Sequence, residues 1–143
     1  MPSATLYAPI FSSAFLKLIN LLADTNKVAL ATTTYTPDTD LHDFFNDITN
    51  EASGTGYTAG GATLANDTFV YTAGTNTWRY DADDVSWPSS TITARYAIVY
   101  DSTPGTAATN PLMCLFDFDT NQSTSNGTFA IAWNASGLWE ITS

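Results

Sequence analysis

Chemistry-bearing side chains are scarce in this sequence. Its 143 residues include one cysteine, one histidine and four basic residues against fourteen acids. A single cysteine, Cys114, cannot pair within the chain, and one Cys with one His leaves too few ligands for a zinc site. Cys114 lies in an apolar run with no cationic neighbour, so it reads as a small buried hydrophobe and not as a reactive thiol. The basic residues Lys17, Lys27, Arg79 and Arg95 are scattered. Phosphate binding needs clustered cations, so neither nucleic acid nor an anionic membrane surface is an expected partner. The apolar run from Ala14 to Ala23 is broken by Lys17 and Asn20 and is far shorter than the ~20 residues of a membrane helix. The opening residues, MPSATLYAPIFSS, place no Lys or Arg before the apolar ones, so no secretory signal is expected. The N-x-S/T triplets at Asn66, Asn121, Asn126 and Asn134 then read as chance products of a Thr-rich chain.

What is present is a strand-forming sequence long enough for one full domain. A chain of about 150 residues buries roughly 70% of its unfolded surface and needs no disulfide or metal staple. The clearest pattern is TITARYAIVY, Thr91 to Tyr100. Period-2 alternation puts Ile92, Ala94, Tyr96, Ile98 and Tyr100 on one face, read as core, and Thr91, Thr93, Arg95, Ala97 and Val99 on the other. Further strands are expected over 27–34, 68–72, 77–80, 112–118, 128–133 and 138–141. AGTN, DADD, TPGT, TNQSTSNG and NASG supply turn signals between them. Phe129, Ile131 and Trp133 share a face and are expected in the core with Tyr96, Ile98 and Phe116. Short strands with such turns predict a mainly β, single-domain β-sandwich, jelly-roll-like, over residues 11–143. Residues 1–10, with Pro2 and Pro9, read as an extended N-terminal arm whose Leu6, Tyr7 and Ile10 await a partner surface.

Two short helices are expected in the N-terminal third. Phe11, Phe15, Leu18, Ile19 and Leu22 follow helical spacing and predict a helix over about 13–23, capped by Ser12 or Ser13. Leu41, Phe44, Phe45 and Ile48 form a second stripe, with Asp38, Thr39 or Asp40 as cap. Between this stripe and the next strand lies SGTGYTAGG, whose Gly54, Gly56, Gly60 and Gly61 suit turns with positive φ. It lacks the Lys of a phosphate loop.

Four constellations bear on chemistry. His42 is the only available base for a serine or cysteine nucleophile, and nothing in the sequence positions it; it reads as a solvated helix-surface residue. Asp117 and Asp119 bracket Phe118 and share a strand face, the kind of pair a glycosidase uses, yet they fall at a strand end where acids are common. Asp81, Asp83 and Asp84 suggest a calcium loop but lack the Gly and closing Glu of an EF-hand, so a turn is the simpler reading. Trp78, Trp87, Trp133 and Trp139 suit either a sugar-stacking platform or core packing; Trp78 and Trp87, flanking the acidic turn, are expected to be the most exposed. No catalytic residue, metal ligand or cofactor site is assigned from these features.

Three segments carry a resemblance: KVALATTTYTPDTDLHDFFNDITNEASGTGYTAGGATL, ADDVSWPSSTITARYAIVYDSTPG and PLMCLFDFDTNQSTSNGTFAIAWNASGL. In this order, across roughly residues 14–141, they resemble small virion structural proteins of tailed bacteriophages. The resemblance implies a non-enzymatic particle component, of the capsid decoration (cement) type that stabilises the head. It implies the major capsid protein as partner, a homo-oligomer with trimer symmetry, and location in the virion. The alternative is a tail- or fibre-associated module that touches host glycans through its tryptophans. The net charge of −10 suits solubility or a basic partner surface.

Overall fold

The computed structural model describes residues 1–143. The elements follow in the order β1 (Thr5–Leu6), α1 (Pro9–Phe15), β2 (Asn26–Ala31), β3 (Ala62–Thr63), β4 (Thr68–Thr72), β5 (Thr77–Asp81), β6 (Val85–Ser90), β7 (Thr93–Asp101), β8 (Leu112–Ser123), β9 (Gly127–Ile131) and β10 (Trp139–Thr142). A 3-10 turn at Phe45–Asp47 interrupts the long connection between β2 and β3. All pairings are antiparallel. They form a five-stranded sheet β1-β8-β7-β2-β3, a three-stranded sheet β10-β5-β4 and a two-stranded sheet β6-β9. The chain is mainly β with the sandwich architecture. Its pairings do not by themselves show the two Greek keys of a jelly roll.

The strands in the middle of the large sheet are those with two apolar rows. Val28, Leu30, Ala97, Val99, Cys114 and Phe116 belong to the main core, which the small sheets complete with Tyr80, Val85, Trp87, Phe129, Ile131 and Trp139. Ala29, Ala31, Ile98, Tyr100, Leu112 and Leu115 belong to a second core, closed by Tyr7, Tyr35 and Ile48. Each fully buried aliphatic side chain contributes about 1.5–3 kcal/mol.

This division corrects the one-core reading of TITARYAIVY. Tyr96 and Ile98 pack in the second core, away from Phe116, Phe129 and Ile131. Ile92 and Ala94 join Ala97 and Val99 in the main core, because the register of β7 on β8 slips between Ala94 and Tyr96. A second slip, between Val99 and Tyr100, leaves Met113 as the unpaired residue of β8. The first slip sets a step of two residues on β7 against five on β8 and exchanges the faces of β7; the second leaves the alternation of β7 intact and puts Met113 and Cys114 of β8 both in the main core.

The helical stripes are also corrected. α1 starts at Pro9, whose fixed φ and missing N–H suit the first turn, and it stops at Phe15. Lys17 takes φ 62, Lys17 N–H donates to Ala14 O (3.1 Å) and Leu18 N–H to Ser13 O (2.8 Å). This is a Schellman closure with lysine where glycine is usual, so the chain leaves the helix well before residue 23. In the second stripe Asp38 Oδ1 does accept the N–H groups of Asp40 and Leu41, both at 3.1 Å. Phe44 is then extended and bridges to Pro111, so only the 3-10 turn forms. Phe45 stacks on Tyr100 with centroids 4.1 Å apart, while Leu41 is left 76% exposed.

The N-terminal residues are part of the domain. Thr5 and Leu6 pair with Leu115 and Cys114, Tyr7 is fully buried, and Ile10 lies in the main core. The expected free arm is therefore an edge strand with two core anchors. The glycine loop is likewise fastened: Tyr57 Oη accepts Leu30 N–H (2.9 Å) and donates to Glu51 Oε1 (2.7 Å), and Gly60 N–H donates to the same oxygen (2.6 Å). Gly61, at φ +74, lies so close to β2 that a Cβ would sit 1.9 Å from Val28 O. The sequence missed β6, whose Pro88 is tolerated because the two-stranded sheet leaves it an unpaired side.

Candidate functional site

The most distinctive surface is apolar and lies where the three-stranded sheet overhangs the core. Alternation along β4, β5 and β10 puts Phe69, Tyr71, Trp78, Tyr80, Trp139 and Ile141 on one face, in register across the strands. At the Tyr80 end this face is buried in the main core. Toward the hairpin tip it emerges, and Trp78 and Tyr71 are exposed. The rings form a ladder: Phe69 on Trp78 at 4.8 Å, Tyr71 on Trp78 at 5.1 Å, Phe69 on Trp139 at 5.6 Å.

Helix α1 and the segment after it face this ladder. Between them runs a groove of about 180 Å³ lined only by apolar side chains, Ile10, Phe11, Ala14, Ile19 and Leu21 from one wall and Phe69, Trp139 and Ile141 from the other. Other apolar residues of α1 and the segment after it are exposed. Phe15 is 85% exposed, and Leu16, Leu18 and Leu22 are exposed as well. Phe15, Leu18 and Leu22 belong to the spacing that read as the stripe of a longer helix. Ending the helix at Phe15 splays them outward. Trp139, nearly buried at the groove floor, carries an indole N–H with no partner in the chain.

The acids and the histidine are held elsewhere, each by its own contacts. His42 sits in a turn, half-buried, with Nδ1 2.8 Å from Tyr35 Oη; the Asp38 amide also donates to Nδ1 (3.4 Å), so that nitrogen is an acceptor. It is not the solvated helix-surface residue expected. Asp117 makes a two-pronged pair with Arg95, and this guanidinium, with help from the Asp119 N–H, holds its carboxyl below the ordinary range. Asp119 takes φ 65 at the irregularity in β8, so the two acids do not form an evenly spaced pair on a regular strand. Asp81, Asp83 and Asp84 turn to three partners: the Ala82 N–H, the Asn66 amide and the Trp133 N–H. No group of three His, Cys, Asp or Glu side chains converges in a metal-binding arrangement. Cys114 is buried, and burial pushes its thiol up.

The tryptophans divide. Trp87 is buried and packs edge-on against Phe129 at 5.9 Å, contrary to the expected exposure. Trp133 is half-buried against Phe116 and donates its indole N–H to Asp83 O. Trp78 alone of the four is exposed.

Sequence reasoning missed a buried polar cluster at one end of β2. Asn26 Nδ2 donates to Leu21 O (2.7 Å) and Asp67 Oδ2 (2.8 Å), and Tyr80 Oη donates to the same carboxylate at 2.5 Å. Asp101, cross-strand from Asn26, is fully buried; burial raises its carboxyl, and nearby Asp24 adds to the shift. No sequence spacing announces this cluster, because its members come from four separate segments.

Comparison with family models, with curated proteins and with solved structures gives no match. No helix is long and apolar enough to cross a membrane.

Proposed function

We propose that this chain is a non-enzymatic structural protein of a tailed-phage virion, a capsid decoration protein that docks on the major capsid protein and stabilises the head. The resemblance of its three segments to such proteins supplies the particle. The observation that carries an assembly role is the apolar surface made by the groove and the exposed Phe15, Leu16, Leu18 and Leu22. Several large apolar side chains exposed within one short segment beside an apolar groove suit protein–protein contact. The docking element is helix α1 and the segment after it, in place of the free N-terminal arm. The remaining surface is acidic, which suits repulsion from nucleic acid, and neither nucleic acid nor a membrane enters this reading.

The test uses heads that lack the protein. Wild type is expected to co-sediment with them. Phe15→Asp, changed at an 85% exposed position, is expected to keep its fold and lose occupancy. Cryo-EM of intact particles would place the protein on the head; finding it only on the tail would sink the decoration reading.

One observation favours the second reading, a glycan-binding module of the tail or fibre. Trp78 and Tyr71 are exposed side by side on one sheet face, 5.1 Å apart. Ring faces of this kind stack on sugars. Glycan-array binding that Trp78→Ala abolishes, with no binding to heads, would establish that alternative.

A further inference from the structure

We propose that β4 is a self-pairing edge: two copies of this chain join their β4 strands antiparallel about a twofold axis, making one six-stranded sheet from the two three-stranded ones. This inference does not rest on the virion reading.

The outer side of β4 is open. β4 bonds to β5 alone in its sheet, and no other backbone hydrogen bond reaches the strand's free side. Free edges are normally blunted by charge, proline, bulges or brevity. Most other edges here show such devices: β1 and β3 are two residues long, β6 holds Pro88 and pairs irregularly with β9, and β10 carries Glu140 in an ion pair with Arg79. β4 reads Thr-Phe-Val-Tyr-Thr and has none of them. Its side chains are exposed apart from half-buried Phe69.

The occupant follows from the strand's own sequence, which is nearly palindromic about Val70. A twofold axis there sets Val70 opposite Val70, Phe69 opposite Tyr71 and Thr68 opposite Thr72 of the other copy. Aromatic pairs and Thr–Thr pairs directly opposite each other are the favourable cross-strand combinations. The alternation keeps Phe69 and Tyr71 on the ladder face, so both ladders fuse into one apolar surface, while Val70 stays on the outer face with Arg79 of β5. Charge does not add to the drive. β4 itself carries no charged residue, but on the outer face Asp81 lies opposite Thr68 and Arg79, opposite Val70, is paired with Glu140, so copies with net charge −10 associate through the strand pairing and not through charge. An isologous contact of this kind closes as a dimer and does not build the threefold ring that the phage resemblance implies.

The test is sedimentation of the full chain, with circular dichroism to confirm folding. Wild type is expected to be a dimer. Val70→Lys and Val70→Glu each place like charges face to face at the axis, and each is expected to lose the dimer at concentrations where wild type holds it. Mixing the two variants is expected to restore a dimer. A second measurement stands apart from charge: Val70→Cys lies within disulfide reach of its twofold mate, since directly opposed Cα atoms are about 4.5–5.5 Å apart. Buried Cys114 does not compete. Oxidation is expected to cross-link Val70→Cys and not Thr142→Cys on the opposite edge of the sheet. Wild type that stays monomeric up to about 1 mM, an oligomer indifferent to both charges, or cross-linking through position 142 instead of 70 would each overturn the proposal.

Discussion

Removing the Tyr7 side chain should be among the most damaging single changes in this protein. Tyr7 is fully buried in the second core, and its hydroxyl lies 3.0 Å from that of Tyr35, which in turn reaches His42 Nδ1. Because Nδ1 is an acceptor, the chain of donors runs from Tyr7 through Tyr35 to His42. Truncating a buried aromatic to alanine costs about 3–5 kcal/mol through lost transfer energy and the residual cavity. Against a total stability of about 5–15 kcal/mol that is a large fraction. At about 2–4 °C per kcal/mol for a domain of this size, Tyr7→Ala should melt roughly 10 °C lower. Tyr7→Phe keeps the ring and loses one hydrogen bond, worth about 1 kcal/mol, while Tyr35 retains His42 as partner. Urea unfolding of the three proteins gives both differences directly, provided the m-value is unchanged. An unchanged midpoint for Tyr7→Ala would refute the claim that the N-terminal residues are built into the domain. The same reasoning predicts that deleting residues 2–10 destabilises the sandwich.

Gly61→Ala should destabilise by more than about 1 kcal/mol, because the position has φ +74 and its Cβ would meet Val28 O; Gly74→Ala, with nothing within 4 Å, should be neutral or slightly stabilising in the same thermal melts. Asp101 has a carboxyl raised by burial, with Asp24 adding, so its contribution to stability is present at low pH and is lost as pH rises through its folded value, above about pH 4. Asp101→Asn should therefore flatten the pH profile of the melting temperature and raise it at neutral pH; a profile that keeps its shape would show that another group governs this range.

Much of the fold was legible because alternation is a local property. The strands over 68–72, 77–80 and 138–141 fall within a residue or so of β4, β5 and β10, and the turns between them lie where Gly, Asn and Asp cluster. The faces were harder. Tyr96 and Ile98 were set with Phe116 because an uninterrupted period of two was assumed, and register slips leave no mark in a run of apolar residues. Helix 13–23 failed because spacing does not reveal a lysine at φ 62. That error also hid the candidate site. Phe15, Leu18 and Leu22 have the same pattern whether a helix buries them or a broken one displays them. The aromatic alternative was half legible: Trp78 is exposed as expected, whereas Trp87 points into the core because β6, unseen in the sequence, turns it inward.

The pairing of Thr5 with Leu115 has a consequence for synthesis. The first strand meets its partner only about 110 residues later. At about 5–20 residues per second on a ribosome, the N-terminal segment waits about 5–20 s with its sheet position vacant. During that interval Tyr7 and Ile10 have no core to enter, and the apolar side chains of α1 are as available to chaperones as to neighbouring chains. The hairpin of β4 and β5, joined by a turn of four residues, needs no such delay. Translation therefore presents the β4–β5 hairpin early and its third strand, β10, last, so a chain stalled before residue 112 would carry the open β4 edge on a sheet that still lacks β10.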